Sequence, residues 1–302
     1  MEFVPYAFCE AVVAVFAEPS GPLSGLASPF WRRAIRREAR CNFSCTIGYT
    51  TLGAWALEIY NHKTQTNASL EELCDANRRS HRIVYIGIQH VLNPTTELDS
   101  FEELKRSVTR IIPFVNMAHF VLDRTSGGGP SIPVEPILEI VSLFESSSFC
   151  VLGIIDEPAL ARFEDFAMKQ MKTKWLRKFS VHNALMRQEA KIPISCAFQS
   201  AIEKFILKDA FRSVFVNWDA VTFTKEFVVQ LIDTHVDGRF HLFFNFQELK
   251  EFRKSSQVPT DGHSNRIKWN REDGVQVIVQ GWNHGSMYSS SIFFYNKKAF
   301  SA

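Results

Sequence analysis

Several residue sets in the chain would carry specific chemistry if the fold brought them together. Cys41-x-x-x-Cys45 could offer two thiolates to a zinc ion, but no second pair stands at ligand spacing, so both read as buried free thiols. His235 and His241 flank a turn that holds Asp233 and Asp237, a donor set a metal could use; beside a glycine turn they read more simply as solvated side chains. The runs Ser146–Ser148 and Ser289–Ser291 supply hydroxyls without the strand-to-helix elbow a nucleophile needs, and read as a loop and a strand edge. Gly127-Gly128-Gly129-Pro130 lacks the lysine and the strand-to-helix setting of a phosphate loop and reads as a connection. No catalytic residue, cofactor site or metal site is therefore expected.

Two further sets suit binding better than catalysis. Arg32, Arg33, Arg36, Arg37 and Arg40 fill one face of a short helix whose other residues, Phe30, Trp31, Ala34 and Ile35, are apolar and expected inward. Such a face is either solvated or meets phosphate or an acidic partner. Asp123, Asp156, Asn183, Asn217 and Asn245 each close a Phe-rich extended run, about one per 30 residues between 101 and 255. Short polar side chains at that position satisfy loop N–H groups, and the same edge of a parallel sheet is where ligands often bind.

The elements that position these residues follow from periodicity. Residues 6–17 have helical spacing and stop before Pro19, Gly21 and Pro22. Residues 41–49 and 52–60 predict an antiparallel hairpin, 82–91 a strand and 93–99 a loop. Ser69-Leu70-Glu71-Glu72 and Ser100-Phe101-Glu102-Glu103 are capping boxes that open helices, the first running through residue 77 and the second ending at Pro113. Helices at 136–144, 159–171, 196–207 and 223–234 alternate with strands at 120–123, 149–156, 176–183, 211–217 and 240–246. Because a helix precedes every strand, the strands should run parallel with helices over one face. Residues 266–270, 275–282 and 287–295 predict an antiparallel meander, with Asp273-Gly274 as a hairpin turn.

The expected fold is α/β: a curved, repeat-like parallel sheet with helices on one face, a small helical N-terminal segment and an antiparallel β cap at the C-terminus. Residues 1–40 form the helical segment and 41–302 the repeat-like domain, divided into 41–91, 101–255 and 266–295. Lysine and arginine outnumber aspartate and glutamate only 34 to 32, which disfavours nucleic acid as the main partner. The apolar start carries Glu2 and Glu10 and no basic leader, and no apolar run reaches membrane-spanning length, so a chain of the cytoplasm or nucleus with free thiols is expected.

Val4-Pro5-Tyr6-Ala7-Phe8, Leu23-x-x-Leu26 and Ser28-Pro29-Phe30-Trp31-Arg32 resemble a shortened F-box, and the helix-and-strand units behind it are similar to those of nematode F-box-associated proteins. That resemblance implies a scaffold that docks on the Skp1 adaptor of a cullin ubiquitin ligase and holds a substrate protein. Pro5, Phe8, Leu23, Leu26 and Trp31 match the motif, and Arg32, Arg33 and Arg36 lie beside it. Two alternatives stand: a solenoid-type binder without the ligase link, and a hydrolase or transferase at the strand ends, where His182 or His235 would meet a carboxylate or Cys150.

Overall fold

The computed structural model describes residues 9, 29–38, 42–76, 81–124, 132–155, 160–182, 194–208, 213–217, 222–234, 238–244, 266–271, 275–284 and 287–296. The chain divides into two compact units, residues 1–157 with 173–176, and residues 158–172 with 177–302. The division falls inside the helix–strand series and not at residue 40, because local strand pairing and helix packing group residues 42–155 around one core.

The N-terminal unit begins its described fold with α1 (Pro29–Glu38). Trp31 and Ala34 point inward as the spacing predicts, whereas Phe30, also expected inward, is 46% exposed. Next come β1 (Asn42–Tyr49) and β2 (Trp55–Asn61), an antiparallel hairpin. Its turn is closed by Thr50, whose carbonyl accepts from Gly53 N–H and whose hydroxyl accepts from Ala54 N–H, both at 3.0 Å. Gly53 has φ +84°, the left-handed conformation that glycine adopts without strain.

After β3 (Thr66–Ala68), the short helix α2 (Leu70–Cys74) carries a complete capping box: Ser69 Oγ accepts from Glu72 N–H and Glu72 Oε2 accepts from Ser69 N–H. β4 (Arg82–His90) is followed by β5 (Glu97–Leu98), a two-residue strand within the expected loop. In α3 (Phe101–Ile111) only half of the second box forms; Ser100 Oγ caps Glu103 N–H, but Glu103 reaches past Ser100 to Asp99 N–H at 2.9 Å. Pro113 ends the helix in a 3-10 turn. β6 (Val115–Asp123) starts five residues earlier than expected, and α4 (Val134–Leu143) and β7 (Phe149–Ile155) complete the unit.

The strand order is β3-β2-β1-β4-β6-β7, with β5 on β2; β1, β4, β6 and β7 are parallel. The steps β4 to β6 to β7 move the same way across the sheet, so right-handed crossovers put α3 and α4 on one face. On that face Ile59, Cys45, Ile86, Phe120 and Leu152 form one register row and Leu57, Ile47, Ile88, Leu122 and Ile154 the next, all buried. Phe144, at the end of α4, meets Phe120 edge-on at 5.8 Å. Burying each such side chain contributes about 1.5–3 kcal/mol, so these rows hold the helices to the sheet.

The C-terminal unit repeats the pattern with a 3-10 turn (Leu160–Phe163), α5 (Glu164–Lys172), β8 (Lys178–His182), α6 (Cys196–Ile206), β9 (Ser213–Asn217), β10 (Thr222–Phe223), α7 (Lys225–Thr234) and β11 (Gly238–Phe244). β8, β9 and β11 are parallel, and β10 pairs with β11. β12 (Arg266–Asn270), β13 (Val275–His284) and β14 (Met287–Asn296) form the expected antiparallel meander, which joins through β14 to β11. Glu164, 7% exposed, accepts from both the amide and the hydroxyl of Ser195, tying the start of α5 to the cap of α6.

Candidate functional site

The outward face of the N-terminal sheet, opposite α3 and α4, holds a different set of residues. Tyr60, Ser44, Tyr85, His119 and Val151 form one register row across β2, β1, β4, β6 and β7; Glu58, Thr46, Gly87, Val121 and Gly153 form the next. Gly87 and Gly153 are buried, and the other eight residues of the two rows are half-exposed, Tyr60 reaching 37%. Parallel strands are ordinarily covered on both faces and read as continuous apolar runs. Here the strands alternate, which marks a face left to solvent or to a partner.

Local backbone geometry shapes this face. A Cβ at Gly87 would lie 2.9 Å from Tyr85 Cε1 and 3.0 Å from its hydroxyl, so the Tyr85 ring lies along the strand over the glycine. The ring directs its hydroxyl to the C-terminal end of the strand, where Asp123 closes β6. Burial, and then the Asp123 charge, push the Tyr85 phenol above its ordinary value. In β6, Met117 takes φ +52°, a left-handed conformation rare for such a side chain, and the register against β7 shifts between Ala118 and His119. The Cys150 thiol, 7% exposed, donates to the Met117 carbonyl at 2.9 Å and so satisfies the backbone at the irregularity.

At the hairpin edge, Ser44 Oγ lies 2.7 Å from His62 Nε2, and the Tyr60 ring stands edge-on to the imidazole at 5.4 Å. A serine on a histidine is half of a nucleophile's equipment. Among the described residues no acceptor orients the other ring nitrogen of His62, and the bond lies on exposed surface. It serves as a polar rim to the face.

Of the residues the sequence singles out, Asp123 borders this face. Asn217 closes β9, its backbone paired with that of His182, in the other unit. Asp156, Asn183 and Asn245 lie outside the described residues, each directly after the last described residue of its strand. Pro5, Phe8, Leu23 and Leu26 also lie outside them, and Arg36 is described only in its backbone. Arg32 and Arg33 are exposed. Trp31, expected to bind a partner, is 5% exposed: its indole packs within the chain, so a partner would have to displace that packing to reach it.

Among the described residues none of the alternative chemical sets is seen to assemble. Cys45 is fully buried and its thiol is pushed up to about 12 by desolvation, as for a thiol packed in the core; Cys41 lies outside the described residues. His235 and Asp237 lie outside them too, and among the described residues no three His, Cys, Asp or Glu side chains converge on a metal position. Ser289–Ser291, expected at a strand edge, sit in β14 between β13 and β11. No helix among the described residues is long and apolar enough to cross a membrane. Comparison with known proteins finds no matching family model, no matching curated protein and no matching solved structure.

The outward face escapes the sequence reading because it depends on pairing between β1 and β4, distant in the chain. The signal that could have found it is alternation: Ser44 and Thr46 fall between Phe43, Cys45 and Ile47.

Proposed function

We propose that the chain is a protein-interaction scaffold of the cytoplasm or nucleus whose outward sheet face in the N-terminal unit receives a protein partner. The observation behind this reading is the half-exposed side chains of two rows on parallel strands, which are tyrosine, histidine and valine with little formal charge. Aromatic side chains on a rigid sheet give contact area at low entropic cost, and are enriched at interface centres. Repeat-type α/β proteins bind through such a face when their units stack into a curve, and that curvature belongs to the same proposal.

The burial of Trp31 favours a scaffold without a ligase link, since a docking tryptophan must be free. Affinity purification of the full chain against Val121→Arg and Tyr60→Ala tests the reading. Partners captured by the unaltered chain should be lost from both variants while their circular dichroism is unchanged. An identical partner set from all three removes the face from consideration. Co-purification of Skp1 that disappears on deleting residues 1–40 would restore the ligase version.

A further inference from the structure

The strands of the C-terminal unit run in the order β8-β9-β11-β14-β13-β12. Phe179, Val214, Phe240, Ile292 and Val279 form one register row across the first five and are all buried. Phe198 and Phe205 of α6 stand edge-on to Phe179 at 6.3 and 6.5 Å, so α6 covers this row. The steps β8 to β9 to β11 move one way across the sheet, and right-handed crossovers then put α7 on the same side. The alternate residues of the six strands are placed on the opposite face.

Strand pairing sets two complete rows on that face. Ser180, Phe215, His241, Ser291, Gln280 and Arg266 form one, and Lys178, Ser213, Arg239, Phe293, Ile278 and Lys268 form the other. Neither contains an aspartate or glutamate, although the chain has 32 of them against 34 lysines and arginines. The four cations are spread from β8 to β12, a width of about 24 Å at the usual spacing of paired strands. Arg266 and Lys268 lie on the edge strand β12, where charge also serves to block pairing with another chain. That role does not extend to Arg239, whose strand lies between β9 and β14. Lys178 is exposed and forms no ion pair among the described residues. Phe215 is 37% exposed, Ser180 and Ser213 are half-exposed, and Ile278 is buried. The near balance of charge in the whole chain therefore hides a face of one sign.

We propose that this face binds single-stranded RNA. Cations spaced across the whole width of a sheet, with no anion among them, match a chain that repeats its negative charge at every residue. Phosphates meet the cations of the two rows, and an unpaired base stacks on Phe215, since an exposed aromatic ring on a sheet offers a platform to any base. A duplex hides its bases, and its major groove, about 12 Å wide, admits a two-stranded ribbon but not a face of six strands. The serines between the cations suit the 2′-hydroxyl, the group by which RNA differs from DNA. The surface belongs to the C-terminal unit, so it stands or falls independently of the protein-binding face of the N-terminal one.

Fluorescence anisotropy of a labelled uridine decamer, titrated with the full chain at low salt, tests the proposal. The matched probes are the deoxyuridine decamer, a DNA duplex and a glutamate decapeptide. The uridine decamer should bind saturably and more tightly than all three, with an affinity that falls with salt at a log–log slope of up to about −3 for four phosphate contacts. Arg239→Gln and Lys178→Gln should each weaken binding and reduce that slope by about 0.7. Phe215→Leu, which keeps the bulk and loses the ring, should weaken binding about tenfold without changing the slope. All three variants should keep the circular dichroism of the unaltered chain, and Lys63→Gln, the same loss of charge in the other unit, should bind normally. Absence of saturable binding, equal affinity for the deoxyuridine decamer, the duplex or the glutamate peptide, or an unchanged salt slope in both folded charge variants would each overturn it.

Discussion

The two faces of the N-terminal sheet are made from alternate residues of the same strands, yet one is a core and the other is a surface. Phe120 and His119 are neighbours in β6; the first is 1% exposed beneath α4 and the second half-exposed on the far side. The difference shows where selection on stability ends. Inward positions are Ile, Leu, Phe and Cys without exception in the two central rows, whereas outward positions mix Tyr, His, Ser, Thr, Val and Gly. A face needed only for solvent would be expected to carry charged side chains, as exposed strands usually do. The outward rows carry one, Glu58.

The largest expected effect comes from the inward side. Phe120→Ala removes a ring in contact with both Phe144 and Phe149, and should cost about 3–5 kcal/mol in urea-induced unfolding. His119→Ala should cost about 1 kcal/mol or less. Equal losses from the two substitutions would mean that the outward face is also packed, and would end the contrast.

Next in size are glycines that let the outward face lie flat. A Cβ at Gly48 would stand 2.4 Å from Val91 Cγ2, 3.1 Å from Val91 Cβ and 3.3 Å from Ala56 Cβ. Two of those atoms are fixed directly to the backbone, so Gly48→Ala should cost about 1–3 kcal/mol. At Gly87 the obstacle is the Tyr85 ring, which can swing aside. Gly87→Ala should therefore cost less in the same unfolding experiment while exposing Tyr85. The reverse order would place Tyr85 in a rigid contact and not at an adaptable surface.

Much of the inward half was legible from residue order, and most of the outward half was not. Ser69 with Glu72, Ser100 before α3, Pro113 at its end and the apolar stripe Leu104, Val108, Ile111 are local signals, and local hydrogen bonds and helical spacing realise them. The meander was legible for the same reason. The left-handed Met117 has no local signal, because its conformation is imposed by register against two neighbouring strands and held by Cys150, 33 residues away. Likewise the sorting of cations onto one face of the C-terminal sheet follows from pairing between distant strands, a relation that no motif encodes. Trp31 was legible as an inward residue from spacing alone; the F-box-like pattern pulled the reading the other way.

A smaller effect tests whether Tyr85 belongs to the surface or to the core. Its phenol is raised above the ordinary 10.0, by burial first and by Asp123 second. A raised folded-state value means that the unfolded chain ionises first, so the contribution of Tyr85 to stability is complete below pH 10.0 and is lost as pH climbs through the raised value. Ultraviolet titration should show one tyrosine ionising late, and Tyr85→Phe should abolish that step and flatten the loss of stability in this window. Asp123→Asn should move the step only part of the way down, since burial is the larger cause. A complete return to the ordinary value in Asp123→Asn would mean that the ring is effectively solvated.

The smallest expected effect lies on the outer surface of the helices, and it sets the scale for what a surface is in this unit. Lys105 bridges Glu102 at 2.8 Å and Glu139 at 3.0 Å, linking α3 to α4, and both carboxylates raise the affinity of the ammonium for its proton. The geometry is good, but the three groups lie at the solvent surface, so water and salt screen the attraction and the ordering of three long side chains opposes it. Lys105→Met should leave the urea midpoint unchanged at physiological salt, and any shift seen at low salt should vanish as salt is added. A salt-resistant loss approaching that of Phe120→Ala would show that α3 and α4 are held together by charge, and that the inward rows of the sheet are not what fixes the helices in place.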